Sequence, residues 1–127
     1  MAISLVRAGQ ARRTETPNAL MTTLASPSQG PTAGLSMWRV EMRAGQQGPP
    51  HVFDTEQVWH VLAGHAEIKA GAKRLVLGPG DTVVLPAGAE RQVSARTDAQ
   101  LIVCGRGDAV VRVPGEAAPR GTPPWVG

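Results

Sequence analysis

Tyrosine is absent from this 127-residue chain, phenylalanine occurs once and tryptophan three times. The core therefore has to be assembled from Val, Leu, Ile, Ala and Met, and the four rings, Trp38, Phe53, Trp59 and Trp125, are informative wherever they fall. Cysteine is represented by Cys104 alone, which excludes an internal disulfide and gives no sign of an oxidising compartment. No apolar run approaches the length of a membrane span, and the N-terminal MAISLVRAGQARR lacks the uninterrupted apolar stretch of a signal peptide. A cytoplasmic protein without a membrane partner is the expectation.

Concentrated charge is also missing. The formal net charge is +3 and the pI about 10.0, but the arginines are scattered and only Arg12 and Arg13 are adjacent. Nucleic-acid binding requires a basic patch or a reading motif, and neither is visible.

Helical periodicity is hard to find, whereas Gly and Pro recur at short intervals and divide the chain into pieces of strand length. LSMWRVEMRAG places Trp38, Val40 and Met42 on one face and Arg39 and Glu41 on the other, the alternation of a half-buried strand. From Glu56 to Ala95 the chain reads as strands separated by a glycine turn at Gly64, a turn at Ala70 to Lys73, a Gly-Pro-Gly-Asp turn and a Pro-Ala-Gly turn; AQLIVCGR and AVVRV add two more strands. The expected organisation is one all-β domain. Residues 1–34 supply an early strand around Ala19 to Leu24 and a polar loop, residues 35–113 form the barrel, and residues 114–127 are a Pro/Gly-rich tail. Trp125 in that tail either belongs to a loose terminus or docks on the barrel or on a neighbouring subunit.

Two glycine-framed stretches carry a family resemblance. Gly45 is followed after five residues by His51, then by Phe53, Gln57 and Gly64, and GDTVVLPAGAER places Gly80, Pro86, Gly88 and Arg91 in a second frame. Over about residues 35–105 the chain resembles the cupin superfamily, specifically its small single-domain conserved-barrel members. The resemblance implies a double-stranded β-helix, or jelly-roll barrel, and commonly a homodimer. It also places metal ligands at positions 51, 53, 57 and 91. Here Phe53 stands at the second histidine, Gln57 at the glutamate and Arg91 at the fourth ligand, so His51 alone is retained.

Strand parity puts Gln57, Trp59 and Val61 on one face and Val58, His60 and Leu62 on the other. Within the barrel frame His51, Phe53, Gln57 and Arg91 then converge inside, while His60 points outward and His65 falls in a solvent-facing turn. Phe53 offers a metal nothing, Gln57 only a neutral amide oxygen, and Arg91 a fixed positive charge with no lone pair. No metal and no other cofactor is the expectation; the alternative is a divalent transition metal at His51 and Gln57. Cys104 reads as a small buried hydrophobe.

A buried guanidinium requires an anion or strong acceptors. Arg91 either snorkels to water, pairs internally with Glu90 or Asp81, or holds an anionic or enolisable small molecule. In the last case His51, Arg91 and Gln57 are the catalytic candidates: His51 takes a proton, Arg91 stabilises the resulting oxyanion and Gln57 orients the substrate. Phe53, Trp38, Val40, Met42 and Trp59 would form the substrate-binding wall. Three functions remain open: a metal-independent isomerase, lyase or cyclase, a metal-dependent dioxygenase or related oxidoreductase, and a non-catalytic small-molecule sensor or binding barrel. The apolar outward positions Val58 and Leu62 are consistent with a homodimer.

Overall fold

The computed structural model describes residues 2–127. Eleven strands account for nearly all its regular structure: β1 (Arg12–Glu15), β2 (Leu20–Ala25), β3 (Leu35–Met42), β4 (Val52–Phe53), β5 (Gln57–Ala63), β6 (Ala66–Ala70), β7 (Lys73–Leu77), β8 (Thr82–Leu85), β9 (Arg91–Ala95), β10 (Ala99–Arg106) and β11 (Val111–Arg112). A six-stranded sheet runs in the order β1-β2-β3-β10-β5-β8, a three-stranded sheet in the order β7-β6-β9, and β11 pairs with β4. Every strand pairing is antiparallel, and the adjacency of β3 to β10 and of β6 to β9 gives the jelly-roll barrel. No helix among the described residues is long and apolar enough to cross a membrane.

The core is one cluster shared by the two larger sheets. Trp38, Val40 and Met42 of β3, Trp59 and Val61 of β5 and Leu101 and Val103 of β10 face Ile68 of β6 and Leu77 of β7. Alternation accounts for this packing, since successive side chains of a strand point to opposite faces. At β5, Gln57, Trp59 and Val61 are buried while Val58 and Leu62 are exposed. The turn after β5 depends on Gly64, which holds φ at 76°. A Cβ there would also fall within 3 Å of the Asp98 and Ala99 backbone, so only glycine fits between β5 and the start of β10.

Two features depart from the sequence expectation, and a third decides between its alternatives for the tail. Arg12–Glu15 forms a strand against β2, although its polar alternation carries no apolar face. Cys104, expected to be buried, is exposed, because the register pairing it with Met37 and Val58 puts it on the outer face of the six-stranded sheet. The tail is anchored rather than loose. Val126 is fully buried, Thr23 Oγ1 donates to the Trp125 carbonyl at 2.8 Å, and Ser26 Oγ donates to that of Gly127 at 2.9 Å.

Candidate functional site

The first glycine frame ends its loop by pairing with the second. His51 and Arg91 form an isolated antiparallel bridge in which His51 N–H donates to the Arg91 carbonyl at 2.8 Å and Arg91 N–H donates to that of His51 at 2.9 Å. Residues paired in this way project from the same face, so imidazole and guanidinium are neighbours by backbone register. Phe53, two residues on, is tied in by Gly88, whose N–H donates to the Phe53 carbonyl at 2.9 Å. Gly88 holds φ at 79°, and its turn delivers Arg91 into the barrel.

The Arg91 side chain is 3% exposed. Its Nε donates to the Ala89 carbonyl at 3.0 Å and its Nη1 to Gln57 Oε1 at 3.1 Å. The guanidinium carbon lies 5.1 Å from the centroid of Phe53, within cation–π range. His51 meets the same ring edge-on, at 6.2 Å and 78°. Arg91 therefore does not snorkel. Nor does it find an internal carboxylate: Glu90 is exposed, and Asp81 accepts from the Gly78 N–H at 2.8 Å. Among the described residues, none of the salt bridges involves Arg91, and its Nη2 is buried without a hydrogen-bond partner.

Burial pulls the Arg91 pKa well below the usual guanidinium value, to about 10, which leaves it cationic at neutral pH. His51 is held below its usual value, first by burial and then by the positive charges of Arg91 and Arg120, so the imidazole is neutral at pH 7.

These groups open onto a cavity of about 310 Å³. His51, Arg91, Phe53, Trp38, Val40, Met42 and Trp59 all line it. Gln57 does not. It is 1% exposed and sits behind Arg91, where its Oε1 accepts from both Arg91 Nη1 and Trp59 Nε1 at 3.1 Å. The expectation that Gln57 orients substrate is corrected accordingly: its carbonyl oxygen is spent on two wall residues, and it positions Arg91 and Trp59. His60 points away from the cavity, its Nδ1 2.7 Å from Thr82 Oγ1, and His65 is exposed.

Two lining residues come from the tail. Trp125 is partly buried against the core, and Arg120 reaches the cavity because its N–H donates to the Val111 carbonyl at 2.9 Å while β11 pairs with Phe53. Arg120 also holds Glu116, with Nη2 donating to Oε2 at 2.7 Å. Sequence reading did not find Arg120. An arginine among prolines and glycines carries no signal of its own, and only the pairing of the tail with β11 brings it to the site.

The residues at the four implied ligand positions do meet, but they do not fit a divalent metal. The Gln57 oxygen has both lone pairs engaged, Phe53 has none to give, and Arg91 contributes a positive charge. Among the described residues no three His, Cys, Asp or Glu side chains gather to hold an ion.

Comparison with known proteins agrees with this architecture. A family model for the cupin domain matches residues 38–116. The polyketide cyclase RemF from Streptomyces resistomycificus superposes with a TM-score of 0.75 at 17% identity, covering 91% of this chain and 88% of that one. The DMSP lyase DddQ from Ruegeria pomeroyi DSS-3 gives 0.73 at 22% identity, covering 91% and 73%. KdgF from a Halomonas species gives 0.70 at 22% identity, covering 81% and 94%. No curated protein matches the chain significantly. At these identities the structural likeness speaks for the fold.

Proposed function

The chain belongs to the cupin-domain family, and from that premise we propose that it is a metal-independent member that binds a small anionic or enolisable molecule and moves a proton on it. The observation that carries this reading is Arg91: a buried cation lining a cavity, with an unsatisfied Nη2 and no carboxylate among the lining residues. A carboxylate or enolate supplies both the missing charge and the missing acceptor.

His51 lies on the same face and is neutral at pH 7, the state a general base requires. In the proposed step, a C–H bond next to the substrate carbonyl breaks and its proton passes to an imidazole nitrogen. The electron pair moves onto the carbonyl oxygen, and Arg91 holds the enolate so formed. Returning the proton to another carbon isomerises the substrate; expelling a leaving group completes an elimination. Gln57 and Ala89 fix the guanidinium before substrate arrives, so little reorganisation accompanies the charge transfer. The exchange of C3 protons of phenylpyruvate and 2-oxobutanoate in D2O, followed by NMR, tests the step. The protein should accelerate exchange over buffer, and His51→Ala should abolish the acceleration.

One observation favours a second reading, a sensor or binding barrel. Among the described residues no side chain hydrogen-bonds the His51 ring to fix its tautomer, as a base usually requires. In a binding barrel His51→Ala would change affinity, with no exchange to lose. We also infer a homodimer. Met37, Cys104, Val58 and Val84 form one exposed row across β3, β10, β5 and β8, and exposed Leu62 lies on the same face, giving a second copy an apolar surface to cover.

A further inference from the structure

Every aromatic residue of the chain lines the one cavity that holds Arg91: Trp38, Phe53, Trp59 and Trp125. The rest of the core shows how the protein packs where no ligand is in question. The buried core members that do not line the cavity, Val61, Ala66, Ile68, Leu77 and Leu101 among them, are aliphatic, although they share one cluster with Trp38, Phe53 and Trp59. In a chain with 3% aromatics, every ring that packs in or against the core is therefore one that also borders the cavity.

Resting on the reading of Arg91 as an anion site, we infer that the ligand is a planar conjugated acid, its ring held among the tryptophans and its acidic group on Arg91. Flat rings offer stacking and edge contacts to a conjugated ligand that they do not offer to a saturated one. A saturated acid would be served equally well by the Val and Leu used elsewhere in the barrel. Arg120, the other arginine of the lining, is already paired with Glu116, so among the described residues Arg91 is the one arginine there without a carboxylate partner, which suits a singly charged acid. Met21 and Met42 add polarisable sulfur to the lining, which also favours π-systems. The walls are set in advance, because Trp38 is 1% exposed and Trp59 Nε1 is bonded to Gln57. At about 310 Å³ the cavity is at the small end for ligand sites, which suits a single or fused ring.

All three tryptophans line the cavity, so intrinsic fluorescence reports occupancy directly, with calorimetric titration giving affinities. The probes are benzoate, cyclohexanecarboxylate, which keeps the charge and loses the π-face, and benzamide, which keeps the ring and loses the charge. Benzoate should bind about tenfold more tightly than cyclohexanecarboxylate, and Trp125→Leu should shrink that ratio. Benzoate should also bind at least about tenfold more tightly than benzamide, a margin lost in Arg91→Met. Equal binding of the two carboxylates overturns the conjugated-acid inference and leaves the anion site standing. Equal binding of benzoate and benzamide, unchanged in Arg91→Met, overturns the anion site itself. Binding of none of the probes at millimolar concentration overturns both.

Discussion

Replacing Arg91 by methionine should leave the protein about as stable and make it less able to bind anions. Burial lowers the Arg91 pKa from the usual guanidinium value to about 10. At about 1.4 kcal/mol per tenfold change in proton affinity, carrying the charge in the folded barrel costs on the order of 3 kcal/mol. Below about pH 10 the folded and unfolded chains are both protonated, so this cost is constant across the physiological range. Stability recovers only as the pH rises above about 10 toward the usual guanidinium value, where the unfolded chain still holds a proton that the folded chain has lost. Methionine has a similar reach and no charge. The change forfeits charge-assisted hydrogen bonds to Ala89 and Gln57, about 1.5 kcal/mol each, so gain and loss should nearly cancel. For a domain of this size the Tm should stay within about 4 °C of the wild-type value. Calorimetric scans at pH 7 with and without benzoate would measure it: benzoate should raise the wild-type Tm and leave that of the variant unchanged. A variant less stable than wild type by more than about 1 kcal/mol would refute the reasoning, because Arg91 would then be a structural strut whose bonds outweigh its burial.

The imidazole of His51 should titrate by NMR below 6.5 and move back toward that value in Arg91→Met. Because the folded state binds this proton less readily, its contribution to stability should be lost progressively as pH falls from 6.5 toward the folded pKa, visible as a declining urea midpoint. Gln57→Glu should place a carboxylate on Arg91 and weaken benzoate binding by at least about tenfold in calorimetric titration; unchanged affinity would mean that Arg91 does not hold the anion. Deleting residues 122–127 removes buried Val126 and the Trp125 and Gly127 anchors and should cost at least about 2 kcal/mol in urea unfolding. Sedimentation should give the mass of two chains at micromolar concentration, and a single-chain mass would remove the homodimer.

Much of the barrel is legible in the sequence because it rests on two local rules. Alternation identifies the buried faces of β3 and β5, and turn glycines such as Gly64 and Gly88 occupy positive-φ positions that few other residues tolerate. The glycine frames can persist while the residues between them change, since backbone geometry and ligand chemistry are separate demands. What escaped reading depends on register and long-range pairing. Cys104 could be placed only once β10 was aligned between β3 and β5. Arg120 enters the site through the pairing of the tail with β11 and of β11 with β4. Gln57 was assigned to the interior by parity, but parity does not distinguish a residue that faces the cavity from one behind its wall. The rings were conspicuous through their scarcity, yet their convergence on one cavity is a tertiary fact.

On the function proposed above, an anion site centred on Arg91 stands where the family's metal site would be. The most direct measurement is metal content by plasma mass spectrometry on tag-free protein, before and after incubation with Mn, Fe, Co, Ni, Cu and Zn. Far less than stoichiometric metal in every case is the expected result, with His51→Ala making no difference. Near-stoichiometric retention of any of these metals, lost in His51→Ala, would contradict the claim and put a regrouped metal site in its place.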